Sequence, residues 1–301
     1  MTTVPESVIE LARARQAARA AKDFALSDSL RDQILQQGFE VLDKDGGFSF
    51  RAKNPFPVHE RIGDLRFFTD KKFPIAIGLI LDGFIEDGIT SIQAIKKFAP
   101  VDTAILVMIC GTPDLAHIAT ELDDRTFITQ INITPGWGEA ANALLKLSPA
   151  LYLVVMDPST IFTGDAISPA LKTLEAGEYS AVGWRGGLVN IEDGWRSVDD
   201  KGNGDVDVLF SYFMALNVEH ALGASGFNAR AVYYRNADIE FSLRLRQSRG
   251  RLLQMELPLE QARHHGYYDT DEAYRDEQSK KTYDRILERF RGKTEILVER
   301  R

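Results

Sequence analysis

The 301-residue chain has one cysteine, Cys110, so no internal disulfide framework is available and a reducing, cytoplasmic setting is expected. Cys/His clusters of the kind that hold zinc are also missing. No apolar run is long enough to span a bilayer. The longest, Ile75 to Leu81 and Tyr152 to Met156, are strand-sized. The N-terminus is charged and Ala-rich, so it does not read as the apolar core of a signal peptide. Basic surplus is absent too. Lys and Arg number 36 against 44 Asp and Glu, and the resulting net charge of -8 argues against general attraction to nucleic acid. What is present is core material: 44% hydrophobic residues over this length suffice for one large domain or two ordinary ones.

Composition shifts near residues 52 to 57. Before that point, apolar residues recur at Val8, Ile9, Leu11 and Ala12, and again at Leu26, Leu30, Ile34 and Leu35. This spacing predicts two amphipathic helices broken between Asp23 and Asp28, with Ser27 or Asp28 capping the second and Gly38 ending it. Phe39 to Leu42 and Gly47 to Arg51 read as a hairpin turning through Lys44, Asp45, Gly46 and Gly47. The organisation expected is therefore a helical-hairpin unit over 1–53, a linker over 54–72 containing Asn54-Pro55-Phe56-Pro57, and a large domain over 73–301.

Beyond the linker, strands and helices alternate. Strands are predicted at Ile75 to Leu81, Ala104 to Ile109, Thr126 to Asn132 and Leu151 to Met156. Helices are predicted at Ile89 to Phe98, from about Asp114, and at Gly138 to Lys146. This rhythm gives an α/β fold with a mostly parallel central sheet. From Tyr179 it changes to strands at Ser180 to Gly183, Val189 to Ile191 and Asp207 to Leu216. A helix at Ala237 to Gln247, a strand at Leu252 to Glu256 and a charged helix at Ala273 to Phe290 follow. The acidic run Asp199, Asp200, Asp205 and Asp207 lacks the calcium-loop spacing and reads as a solvated loop.

Several residues have the chemistry of a site. The strand Leu151 to Met156 ends on Asp157-Pro158-Ser159. Ligands of open parallel sheets lie at that strand end, so Asp157 is either a cation ligand or ordinary turn chemistry. Gly136-Trp137-Gly138 opens a helix carrying Asn142. It suits a close phosphate approach or simple helix packing. Asp238 and Glu240 begin a helix, where the dipole alone favours acids, but where Asp238 would also serve as a general base. Trp184, Tyr234, Arg235 and Glu240 are candidate substrate contacts. His264 and His265 close the segment as surface residues or metal ligands.

Taken in order, residues 73 to 290 resemble the family 2 glycosyltransferases, which have the GT-A fold. Gly138-Glu-Ala-Ala-Asn142 is similar to the family's helix entry, and Val154-Val-Met-Asp157-Pro-Ser159 to its acidic metal motif. Gly226-Phe227-Asn228 followed by Asp238-Ile-Glu240-Phe-Ser-Leu-Arg244 resembles its catalytic region, and His265-Gly266 its late histidine. The resemblance implies inverting transfer from a nucleoside diphosphate sugar to an acceptor hydroxyl, with Asp238 as base. It also implies Mn2+ or Mg2+ at Asp157 and His265, and donor contacts from Gly136, Gly138, Asn142 and Asp157. The chain departs from the pattern at Asp82-Gly83-Phe84 after the first strand. It departs again at Ile109, where a nucleotide-reading acid is expected, and at Ser159, the place of the second metal-motif acid. Ile109 and Ser159 support an alternative, a protein that binds a nucleotide or sugar without transferring it, while Asp238 and His265 favour the enzyme.

Residues 13 to 51 resemble the C-terminal helical segment of cysteinyl-tRNA synthetases. The likeness rests on Arg13, Arg15, Arg19, Lys22-Asp23-Phe24-Ala25, Asp28, Leu30-Arg31-Asp32 and Gly47-Phe-Ser-Phe-Arg51. It implies either a docking or homo-oligomerising element, or tRNA contact through mobile cations. The second option gives a further alternative function, an RNA-associated protein.

Overall fold

The computed structural model describes residues 4–44, 46–54, 56–65, 70–111 and 118–300. The chain divides into two compact units after Pro55.

In the first unit, helices α1 (Glu6–Ala20) and α2 (Phe24–Gln36) precede a hairpin of β1 (Phe39–Lys44) and β2 (Gly47–Ala52). The helix break comes earlier than expected. Asp23, rather than Ser27 or Asp28, caps α2 by accepting the Leu26 amide at 3.0 Å. Gly38 ends α2 with φ +83°, a conformation glycine tolerates well. Asp45 of the turn lies outside the described residues. Val8, Ala12, Ile34 and Phe39 form the core of this unit. Arg15 is buried and makes a two-pronged contact with Asp43 at 2.6 and 3.1 Å, so it holds the hairpin to α1. This guanidinium holds the Asp43 carboxyl below its usual range.

The second unit begins with β3 (Val58–His59), inside the segment read as a linker. It adds to the edge of the main sheet. Next come β4 (Phe73–Asp82), α3 (Ile85–Phe98), β5 (Thr103–Cys110), β6 (Thr126–Ile131), α4 (Trp137–Leu147) and β7 (Ala150–Met156). The later elements are β8 (Thr160–Phe162), α5 (Ile167–Glu175), β9 (Ala181–Gly183), β10 (Gly186–Val189), β11 (Val198–Asp199), β12 (Gly204–Asp205), β13 (Val208–Leu209), β14 (Phe213–Asn217) and α6 (Val218–Gly223). The chain ends with α7 (Ala237–Gln247), β15 (Leu252–Gln254), β16 (Leu259–Gln261), α8 (His265–Tyr268) and α9 (Glu272–Phe290). The helix expected from about Asp114 starts outside the described residues.

The main sheet has the order β12-β15-β9-β14-β7-β4-β5-β6-β3. Its centre, β7-β4-β5-β6, is parallel, and β14 runs antiparallel between β7 and β9. All eight residues of β5 are buried, as expected for a strand covered on both faces. Ile75, Ile77, Leu79, Ile92, Ile95 and Ile105 pack on one face. Ala76, Leu144, Leu145, Leu153, Phe227 and Phe241 pack on the other.

The run Asp207 to Leu216 is not one strand, because it breaks at Phe210–Tyr212. The strand expected at Val189 to Ile191 lies earlier, at Gly186–Val189. The acidic run is also not uniformly solvated. Asp207 has 0% exposure and accepts the amides of Val189 at 2.9 Å and Val298 at 2.6 Å, as well as Arg300 Nη2 at 2.8 Å. A carboxylate can be buried when its oxygens are so fully partnered.

Candidate active site

The site forms where three strand ends meet. β4 and β7 run parallel with Leu79 opposite Met156, so Asp82 and Asp157 emerge at the same edge. β14 runs the other way with Phe213 opposite Met156, which brings the preceding turn to that edge too. There the Asp157 amide donates to Ser211 O at 2.9 Å. The Ser211 amide in turn donates to Asp238 Oδ2 at 2.9 Å, and its hydroxyl to the same oxygen at 3.2 Å. Ser211 therefore ties the end of β7 to the first turn of α7. Its position in the broken strand Val208 to Asn217 gave no sequence signal.

Asp238 has 7% exposure. Its other oxygen accepts the Ile239 amide at 2.8 Å. Burial raises its carboxyl to about 6, with the hydrogen bonds from Ser211 and Ile239 opposing that shift. At neutral pH the group is ionised and more basic than an exposed aspartate.

The late histidines reach the site through a short ladder. β16 pairs antiparallel with β8, setting Gln261 opposite Thr160, and Ala262 N donates to Ser159 O at 2.9 Å. The ladder carries His264, not His265, to the end of β7. His264 Nε2 lies 2.9 Å from Asp157 Oδ2. The expectation that His265 accompanies Asp157 is corrected accordingly. His265 begins α8, and its Nδ1 lies 2.6 Å from Asp87 Oδ2 while its ring stacks on Phe84 at 5.6 Å. Asp157 Oδ1 is engaged by the amide of Ser159, at 2.8 Å, and by its hydroxyl, which also receives a hydrogen bond from Gln261.

The divalent cation implied by the family resemblance fits this pair. Both ring nitrogens of His264 are buried without a hydrogen-bond partner, and an imidazole facing a carboxylate is a donor set that Mn2+ accepts. No group of three or more His, Cys, Asp or Glu side chains suited to a metal exists among the described residues. The protein would supply two ligands and leave the other positions to water and ligand oxygens.

Two cavities meet at Asp157 and His264. The smaller, of about 140 Å³, also contains Asp82, Gly83, Phe84, Asp87, Trp137 and His265. Burial raises the Asp82 carboxyl above its usual range. The larger, of about 990 Å³, contains Asp238, Tyr212, Arg196, Arg235 and Tyr267. Ser211 and Tyr234 border both, and Tyr234 stacks on the His264 ring at 4.9 Å. Tyr234 thus lines both cavities and Arg235 the larger one.

Other candidate residues have structural tasks. The α4 entry is not open to phosphate, because the Trp137 and Gly138 amides donate to Val232 O at 3.1 Å and Ala231 O at 2.9 Å. A Cβ on Gly138 would lie 2.1 Å from Asn228 O, so this glycine serves close backbone packing. Gly136 likewise abuts Val232, where an added Cβ would sit 3.2 Å from its Cα. Asn142 pairs with the Phe227 peptide, donating to its O and accepting from its N, both at 2.8 Å. These three residues hold the segment leading to Asp238 rather than a phosphate. Glu240, 2% exposed, accepts Asn228 Nδ2 at 2.6 Å and lies 3.7 Å from Arg244 and 3.5 Å from Arg285, which makes it a buried charge anchor and not a substrate contact. Trp184 borders a separate groove with Arg185, whose guanidinium lies 4.3 Å from its ring.

Asn142→Ala strands the N–H and C=O of Phe227. We expect about 1–3 kcal/mol loss of stability in urea unfolding, and an unchanged unfolding midpoint would refute the staple.

No protein-family model matches the chain. A solved structure of GalNAc-T7 with UDP, GalNAc and Mn2+ superposes over 73% of this chain and 48% of that one, with TM-score 0.56 and 10% identity. The larger unit has the GT-A fold. A second structure, the mannosyltransferase PcManGT from Pyrobaculum calidifontis in complex with GDP-Man and Mn2+, matches over 65% of this chain and 59% of that one with TM-score 0.48 and 11% identity. Curated relatives match a short segment alone. Cysteine–tRNA ligase of Novosphingobium aromaticivorans is 60% identical over 43 residues, 14% of this chain and 9% of the ligase. That of a Synechococcus strain is 59% identical over 34 residues, 11% and 7% respectively. The chain therefore spans less than a tenth of the length of these relatives. Among the described residues, no helix is long and apolar enough to cross a membrane.

Proposed function

We propose that the protein is a metal-assisted, inverting glycosyltransferase that moves a sugar from a nucleoside diphosphate sugar to an acceptor hydroxyl. The observation that carries this reading is the Ser211 link. One turn ties the end of the strand carrying Asp157, which faces His264, to the buried, basic Asp238, and all three line the larger cavity. The solved GT-A neighbour with UDP, GalNAc and Mn2+ supports the donor class.

In this mechanism Asp238 takes the proton of the acceptor hydroxyl as its oxygen bonds to the anomeric carbon. The anomeric carbon–oxygen bond to the diphosphate breaks, and its electron pair leaves with the nucleoside diphosphate. Asp157 and His264 would hold the cation that offsets charge on this leaving group. Ser211 positions the base and does not touch the reacting atoms.

The test is release of nucleoside diphosphate from UDP- and GDP-sugars with a panel of acceptors, with and without Mn2+. Metal-dependent release that requires acceptor supports the reading. Donor binding without turnover across the panel supports the non-transferring alternative, which Ile109 favours: its side chain is buried in the core, not offered to a nucleotide.

The raised Asp238 carboxyl gives the activity an acid limb. Transfer needs the carboxylate, so kcat should fall tenfold per pH unit below about 6. Removing the hydroxyl in Ser211→Ala deletes a hydrogen bond that favours the ionised form. The limb should then move to higher pH, and a limb that moves down or stays fixed contradicts the assignment.

A further inference from the structure

The larger cavity departs from the acidic balance of the molecule. The chain carries net charge -8, yet this cavity is lined by Arg196, Arg235 and Arg263 against two acids, Asp157 and Asp238. The acids already have work in the proposed transfer. Arg263 is paired with Asp269 at 2.5 Å. Arg235 makes no close ion pair among the described residues, and Arg196 meets a carboxylate only through longer-range attraction to its neighbour Asp193. The Arg235 guanidinium instead lies 5.2 Å from the Tyr267 ring centre.

Both arginines sit on anchored backbone. Arg235 precedes Asn236, which has φ +67° and donates from Nδ2 to Ser279 O at 3.1 Å. The Arg196 amide donates to Asp193 Oδ1 at 2.7 Å, and the neighbouring Trp195 is buried. Fixed backbone lowers the ordering cost of a contact made by the exposed side chain. A guanidinium offers a planar fork that matches the oxygens of phosphate or carboxylate.

We propose that the acceptor is an anionic sugar, held through a phosphate or carboxylate by Arg196 and Arg235 while its hydroxyl faces Asp238. This deepens the transferase reading and rests on it for the word acceptor. The cavity volume of about 990 Å³ accommodates more than one sugar ring, and Tyr212 lines it together with the two cations. The diphosphate of the donor belongs at Asp157 and His264, on the wall shared with the smaller cavity.

The test measures calorimetric binding to the full chain of hexoses, their 6-phosphates and their uronates, in the presence of UDP and Mn2+ at low salt. We expect at least one anionic form to bind about tenfold or more tightly than its neutral parent, with the advantage shrinking as salt rises. The double variant Arg196→Ala/Arg235→Ala should abolish that advantage and leave UDP affinity unchanged. The phosphate and uronate arms distinguish the two oxyanion sources. Equal binding of neutral and anionic forms, or no arginine-dependent binding by any member of the panel, overturns the proposal. Weakened UDP binding in the variant also overturns it, since the arginines would then hold the donor. Arginine-dependent binding with no transfer from any nucleotide sugar keeps the oxyanion site and removes the transferase reading.

Discussion

Asp238→Asn lowers transfer by about two to four orders of magnitude, the usual contribution of a positioned general base, and leaves the fold intact. The amide is nearly isosteric and keeps an oxygen for the Ser211 amide, which donates to Oδ2 at 2.9 Å, but its NH2 cannot accept the Ile239 amide as Oδ1 does at 2.8 Å. Against the parent, the variant should fare better at neutral pH than near pH 4, and the sign follows from the raised pKa. The folded protein binds this proton more tightly than the unfolded chain, with a folded value of about 6 against 3.8. The ionised side chain therefore costs stability, with no cost below 3.8, a growing cost between the two values and the full cost above about 6. The uncharged amide removes that cost, so any gain in Tm should appear above pH 6 and vanish near pH 4. Full activity in the variant refutes the base assignment. Lost activity with a large drop in Tm would make Asp238 a structural residue instead.

His264→Ala is the second large effect. The change removes the 2.9 Å contact with Asp157 Oδ2 and the stacking on Tyr234 at 4.9 Å, and the fold should tolerate it because neither His264 nitrogen is in a formed hydrogen bond. Its loss halves the protein ligands, and Mn2+ affinity should fall by more than the roughly 10–100-fold typical of losing an outer-shell partner. Titration of Mn2+ followed by electron paramagnetic resonance reads this without any substrate. His265→Ala is the control. That ring faces Asp87 at 2.6 Å, and its removal should leave Mn2+ affinity within a few-fold of the parent. The reverse order of effects would restore His265 as the ligand.

Much of the large unit was legible because its signals are long. The central strands are continuous apolar runs, and the helix Ala237–Gln247 has the bounds its sequence predicts. Asp157 and Asp238 followed from these elements, since a strand end and a helix start can be located by counting. The ladder joining Thr160–Phe162 to Leu259–Gln261 was not legible, because three-residue strands carry no usable periodicity. That ladder decides which histidine meets Asp157. A shift of one residue exchanges one environment for another. Ser211 was hidden for a related reason: it sits where an apparent strand breaks, and only the three-dimensional pairing reveals both of its partners. The Gly136, Gly138 and Asn142 pattern was visible but misassigned. Glycines at a helix entry suit a phosphate or a neighbouring backbone equally well, and here residues 228 to 232 occupy the space. In the small unit, the Arg15–Asp43 pair likewise shows a cation facing the protein interior where sequence offered a nucleic-acid contact.

The most direct test of the central claim is proton NMR of the product formed with Mn2+ from an α-linked nucleotide sugar, run beside Asp238→Asn. The account predicts a β-linked product from the parent and none from the variant. An α-linked product, or product formed equally well by Asp238→Asn, would contradict it.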